Sequence, residues 1–259
     1  MSVIRTDKWL LDAYDNPVEM CERLTPYFED ASAYEIYQYL TVNGMYRPIK
    51  NGLEQVEDLQ NNGVWKMVEK ERRLLQKSWG GPDIPVFIFP SESTNRILFR
   101  NFNRKSGLAF CDKIFLFISP ENKQEEIQAL FTHEYNHVCR LMQYEKEEKD
   151  YVLLDTIILE GLAEHAVYEK YGENYVARWT SNYSEDVLEK MWQTHVFPNR
   201  NLSKTDRKHE KLLYGLANFP TMLGYCVGYY LINNYSKNTN LKSKDLLAID
   251  SRMLAQIRE

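Results

Sequence analysis

The chain has 259 residues, enough to bury a sizeable hydrophobic core in one large domain or two small ones. Hydrophobic residues make up 44% and charged residues 27%, the composition of a soluble globular protein. The net charge of -5, from 32 basic and 37 acidic residues mixed along the chain, leaves no electrostatic footprint for nucleic acid or an anionic membrane.

In chain order, residues 30–45 and 52–78 read as helices with mixed charged and apolar faces. The second stops at Gly80-Gly81-Pro82, a strong helix terminator. Three runs rich in aromatic and β-branched residues follow: IPVFIFP (84–90), RILFRNF (96–102) and KIFLFIS (113–119), with Gly107 between the second and third. They predict a small sheet. Pro120 closes the last run, and a helix is expected from near Lys123 through Tyr144, with Ile127, Leu130, Val138 and Leu141 at helical spacing. After the charged turn EKEEKD (145–150), residues 151–172 read as a second, apolar helix with Gly172 just past its end. The remainder reads as helical, with loops around Pro198 and Pro220 and one apolar helix over LGYCVGYYLINNY (223–235). No linker separates domains. The expectation is one α+β unit over 1–259, mainly helical: a helical part (1–80), a small mixed sheet with two helices (84–172), and a helical part (173–259).

Cys21, Cys111, Cys139 and Cys226 lie far apart and form no CxxC pair, which argues against a cysteine-rich zinc site and a disulfide framework. The N-terminal stretch MSVIRTDKWLLDAYDN has no apolar run of signal-peptide length. The most apolar stretch, LGYCVGYYLI (223–232), is about half a bilayer span. A soluble, cytoplasmic protein is expected.

The stretch THEYNH (132–137) places two histidines four apart inside the predicted helix. Residues at that spacing share a helix face, so His133 and His137 can offer ring nitrogens to one ion. Zinc takes such nitrogens at about 2.0–2.1 Å and tolerates a site with one position open. Glu134 is then placed to act as general base on a zinc-activated water. The bland alternative is a polar patch on an ordinary helix. Against it, two histidines and a glutamate turned towards a buried face are costly without partners.

A metzincin would continue with a glycine and a third histidine, where this chain has Arg140 and Gln143. The other route takes a carboxylate from the next helix. Glu160 stands in the otherwise apolar run ILEGLAEHA, where an unpaired charge is costly, and Gly161 beside it lets two helices approach closely. Glu164, one turn on, can accept the second ring N–H of a ligand histidine, or be a solvated helix residue. His165, rotated away from Glu160, is a rival ligand whose plainer reading is a histidine on the helix surface.

HEYNH followed by EGLAEH resembles the gluzincin metallopeptidases, which pair HExxH with a downstream glutamate ligand. More narrowly, HEYNH, ILEGLAEH and GYCVGYYLI look like a bacterial family of predicted Zn-dependent proteases, otherwise a domain of unknown function. The resemblance spans about residues 84–235, and the first 80 residues lie outside it. It implies a zincin-like fold with the sheet packed beside the HExxH helix, and a hydrolase acting on a peptide or protein substrate. It implies one Zn2+ per chain held by His133, His137 and Glu160, with Glu134 as base and Glu164 supporting a ligand histidine. A glutamate at 164 departs from the aspartate common in that role.

The resemblance also implies a donor for the oxyanion. Tyr225, between two glycines in GYCVG, is the first choice, with Tyr214 and His209 next. Among 18 tyrosines a packing role is the plain alternative, and Gly224 and Gly228 also suit close helix contact. Gluzincins hold extended substrates along a sheet edge; GLAFCDKIFLFIS (107–119) is the candidate edge, or an ordinary core strand. Cys111 and Cys139 read as core thiols, and His195 as a surface residue.

Two other functions compete. One is a non-catalytic module that keeps the ion for structure or ligand capture. An intact Glu134 speaks against it, because structural zinc sites fill all four positions with protein ligands. The other is a zinc hydrolase of a non-peptide amide.

Overall fold

A computed structural model describes residues 2–92 and 103–257 of the chain. The run 96–102, expected as a strand, lies outside the described residues. The chain divides into two compact units, 1–135 and 136–259, and the division falls inside a single helix.

The first unit opens with α1 (Thr6–Ala13) and α2 (Pro17–Glu22), then α3 (Ala33–Val42), α4 (Gly52–Asn61) and α5 (Val64–Trp79). A capping box starts α3: Glu35 N–H donates to the Ser32 hydroxyl at 3.3 Å, and Ser32 N–H donates to the Glu35 carboxylate at 2.9 Å. The single helix expected over 52–78 is two. Gly63 takes a left-handed φ of 68° and breaks the hydrogen-bond ladder between α4 and α5.

The sheet has the order β1-β3-β2, with β1 (Val86–Pro90) parallel to β3 (Ile114–Ile118) and β2 (Ser106–Ala109) antiparallel to it. It is therefore mixed, as expected. Alternation along the strands separates its two faces. Phe87, Phe89, Phe115 and Phe117 share a core with Leu10, Met20, Ile36 and Leu40 of the helices beneath and with Leu24 just past α2, and Leu108 packs at its rim. Phe87 and Phe115 stack at 4.9 Å. Each such ring contributes about 1.5–3 kcal/mol by leaving water.

Both readings of 107–119 hold for part of it: β2 lies at an edge of the sheet, and β3 is a core strand paired on both sides. The chain turns between them at 110–113, which leaves Cys111 exposed rather than in the core. Cys139 is buried, as expected.

The first unit ends in α6 (Gln124–Gln143), which continues into the second. Glu125 and Glu126 in its first turn and Arg140 in its last complement the helix dipole, and Lys123 N–H donates to Glu126 at 2.8 Å. Tyr135 donates its hydroxyl to the Pro82 carbonyl at 2.9 Å, fixing this helix to the chain that leads into β1.

The second unit adds α7 (Leu153–Tyr171), α8 (Glu185–Met191), α9 (Arg207–Tyr214), α10 (Leu223–Thr239), α11 (Ser243–Leu246) and α12 (Ser251–Leu254). The Asp155 carboxylate starts α7 by accepting Val152 N–H at 3.0 Å, and Gly172 ends it with a φ of 78°. Almost the whole of α7 is buried: residues 153–158 and 161–167 contain no solvent-facing position. Leu153, Ile157 and Leu162 share a core with Leu212, Val227 and Leu231.

Where α7 crosses α10 the backbones touch. A Cβ on Gly161 would stand 2.3 Å from the Gly228 carbonyl oxygen, and one on Gly228 would stand 1.9 Å from the Ile157 carbonyl oxygen. Arg140, only 1% exposed, closes the unit by donating to the carbonyls of Leu247 and Ile249 at 2.7 and 2.6 Å and to the Ser251 hydroxyl at 3.2 Å. His195 is not in a loop. It lies in a π-helical turn (Trp192–Val196), half-buried and edge-on to Phe219. Among the described residues, no helix is long and apolar enough to cross a membrane.

Candidate metal centre

Two helices build the site. His133, Glu134 and His137 come from the middle of α6, and Glu160 from the middle of α7. Within the second unit, His137 Nε2 lies 3.7 Å from Glu160 Oε2, with the side chains 10% and 15% exposed. His133 precedes His137 by one turn of the same unbroken helix. The three residues offer ligand atoms that all lie within 4.8 Å of one another, and they form the one such cluster of His, Cys, Asp and Glu found among the described residues.

This donor set fits zinc. Two nitrogens and a carboxylate oxygen are borderline donors of the kind zinc prefers, and tetrahedral ligands at about 2.0–2.2 Å stand roughly 3.3–3.6 Å apart. The His137–Glu160 separation of 3.7 Å is close to that edge. The crossing of α7 and α10 explains why Glu160 is held here. Gly161 removes the neighbouring side chain, and the interlocked backbones leave the turn that carries Glu160 no freedom to slide.

Glu134 is 7% exposed and points to the sheet. A Cβ on Gly107 of β2 would stand 2.5 Å from the Glu134 carboxyl carbon. The edge strand thus passes directly over the carboxylate, and only glycine leaves space for it. Sequence reasoning used Gly107 as a separator between strands and as the start of a candidate edge, and missed its contact with Glu134. A glycine inside a strand is itself the signal for a close approach.

The remaining expected residues separate into two groups. Tyr214 and Tyr225 come together, with ring centroids 5.7 Å apart and a hydrogen bond between their side chains. Tyr225 also packs edge-on against Trp179 at 5.4 Å. Tyr214 is 43% exposed. Partial burial raises the pKa of its hydroxyl, the Tyr225 hydrogen bond lowers it, and the negative charge of Glu160 raises it again.

His209 and His165 stand elsewhere. His209 is 3% exposed, with Nε2 3.2 Å from Thr156 Oγ1, and burial holds its pKa below the usual 6.5. His165 is not a surface histidine: it is 5% exposed, with Nδ1 2.6 Å from Asn233 Oδ1, and burial lowers its pKa too. It stands outside the metal cluster. Glu164 is buried rather than solvated, 3% exposed, and its Oε1 accepts Ala177 N–H, tying the segment after α7 back to the helix.

Comparison with known proteins is consistent with this geometry. The chain is 39% identical over 252 residues to "Uncharacterized protein YjaZ" of Bacillus subtilis (strain 168), covering 96% of each chain. No solved structure matches it. Residues 64–256 match the family model described as "Predicted Zn-dependent protease (DUF2268)", a stretch that holds β1 to β3, α6, α7 and every residue of the cluster, and the chain belongs to that family.

Proposed function

We propose that the chain is a single-zinc peptidase of gluzincin type, with a zincin-like site, that hydrolyses peptide bonds in a peptide or protein substrate. The observation that carries this reading is the convergence of His133, His137 and Glu160 within 4.8 Å. Glu134 on the same helix lies against an edge strand, where an extended peptide can pair.

His133, His137 and Glu160 would hold the ion, one per chain. When bound, zinc supplies a Lewis acid that brings the pKa of a water towards about 7. The Glu134 carboxylate takes a proton from the water whose oxygen attacks the scissile carbonyl carbon. It returns that proton to the leaving nitrogen as the C–N bond breaks. The Tyr214–Tyr225 pair supplies a hydroxyl donor for the carbonyl oxygen as it gains charge, with Tyr214 the exposed member and Tyr225 orienting it. Glu164 supports the site by fixing the backbone that follows α7. A chain with few, widely spaced cysteines suits a reducing, cytoplasmic compartment.

The test is zinc content by elemental analysis, together with peptide turnover. Wild type is expected to carry about one zinc per chain, and Glu160→Ala to lose most of it. Glu134→Gln should keep the metal and lose about 10²–10⁴-fold in turnover. A fully zinc-loaded protein that cleaves no peptide, or a Glu134→Gln variant as active as wild type, would sink the reading.

A further inference from the structure

The first unit contains a surface that the metal centre does not use. Among the described residues β2 is an edge strand, with no charged residue and no proline, the usual devices that keep an edge from pairing. Gly107 is turned towards Glu134, so by alternation Ser106 and Leu108 are turned to the opposite face. That face belongs to α3. The Ser106 hydroxyl donates to the Asn43 carbonyl, just past the end of α3, at 2.9 Å. At the other end of β2, the ring of Tyr39 lies 6.3 Å from that of Phe110. So α3 runs beneath the edge strand, and its outward residues there are Tyr39, 46% exposed, and Val42, 80% exposed. Its turns from Ile36 to Val42 carry no charge.

The geometry points to α3 as the specificity wall of the substrate groove: Tyr39 and Val42 receive apolar side chains at alternate positions of an extended polypeptide paired with the outer edge of β2. The inference rests on the peptidase reading. A strand added to β2 continues the pleat of the sheet. The substrate residue opposite Gly107 is then turned to the Glu134 side, and the residues on either side of it are turned to α3. An apolar, uncharged wall accepts apolar side chains there and rejects charged ones, which would lose their hydration without a partner. Segments with apolar residues at every second position are normally buried in folded proteins. The substrate class is therefore unfolded polypeptide. α3 lies outside the stretch 64–256 that matches the family model, so this selectivity belongs to the N-terminal helices and not to the metal-binding part.

The experiment uses a library of internally quenched peptides, randomised position by position, on the zinc-loaded full chain. Wild type should favour apolar residues at two positions separated by one. Val42→Lys should turn one of those preferences towards acidic residues by about tenfold, and Tyr39→Ala should weaken the other, both with zinc content unchanged. Turnover with wild-type selectivity in both variants overturns the inference and leaves the peptidase reading intact. If no peptide is cleaved, the peptidase reading fails; retention of the same peptides by zinc-loaded Glu134→Gln protein then decides the inference. Retention that depends on residue 42 supports it, and retention that does not, or none, overturns it.

Discussion

Gly161 and Gly107 each make room beside a carboxylate residue, and each is there for a different reason. At the crossing of α7 and α10, Gly161 faces backbone: the Gly228 carbonyl oxygen would be 2.3 Å from an added Cβ. At the sheet edge, Gly107 faces the carboxyl group of Glu134 at 2.5 Å. The first neighbour cannot move without parting two helices, whereas the second is the end of a flexible side chain that can turn away. One glycine therefore sets where Glu160 stands, and the other sets where the Glu134 carboxylate can point.

Substitutions that add a single methyl group separate these roles. Gly161→Ala should have the largest effect. It forces backbone apart at a cost of about 3 kcal/mol, lowers the urea midpoint, and takes bound zinc with it because Glu160 is the adjacent residue. If Gly161→Ala keeps wild-type stability and zinc, the crossing does not hold the site. Gly107→Ala should leave zinc and stability near wild type and lower turnover by about 10²-fold or more, since only the Glu134 carboxylate is displaced. Equal loss of zinc in both variants would erase the distinction.

The tyrosine pair sharpens the comparison on the α10 side. Tyr214→Phe should cost about 10²-fold in kcat, the loss of one oxyanion donor, with little change in zinc content. Tyr225→Phe should cost less, because it removes the group that orients Tyr214. The opposite order in a kinetic comparison would exchange their roles.

The smallest effect is a pH dependence of stability. Burial lowers the folded-state pKa of both His165 and His209 below 6.5. Above that pH both histidines are neutral in the folded and the unfolded chain. As pH falls below about 6.5 the unfolded chain takes up protons first, so stability declines until the lower folded-state pKa values are reached. Urea midpoints should fall between about pH 6.5 and 5, and His165→Gln should flatten part of that slope. A slope that His165→Gln leaves untouched would remove His165 from the account.

The residues of the His133, His137 and Glu160 cluster were legible because chemistry left few other uses for them. Two histidines one turn apart and a carboxylate in an apolar run each carry a penalty that a metal relieves, and both helices were marked by apolar spacing and a terminal glycine. What the sequence hid was tertiary. Gly63 breaks a helix whose apolar pattern runs straight through it, since only its left-handed backbone reveals the break. SGLA (106–109) has too few apolar residues to read as a strand; its pairing with β3 makes it one. His165 reads as a surface residue because a helix is normally assumed to have an outer face. Helix α7 has almost none, so any residue placed on it becomes interior. Gly107 carries no chemistry of its own and acquires a role only through the residue lying opposite.

Arg140 joins two distant stretches of the second unit. Its guanidinium is held by carbonyls and a hydroxyl that all come from residues 247–251, yet it sits one turn beyond His137 on α6. Where those acceptors are pulled away, a buried cation loses its hydrogen bonds, a deficit of about 1–3 kcal/mol or more. One side chain thereby ties α6, beside His137, to the stretch 247–251, so local opening of that stretch also loosens the turn that carries His137.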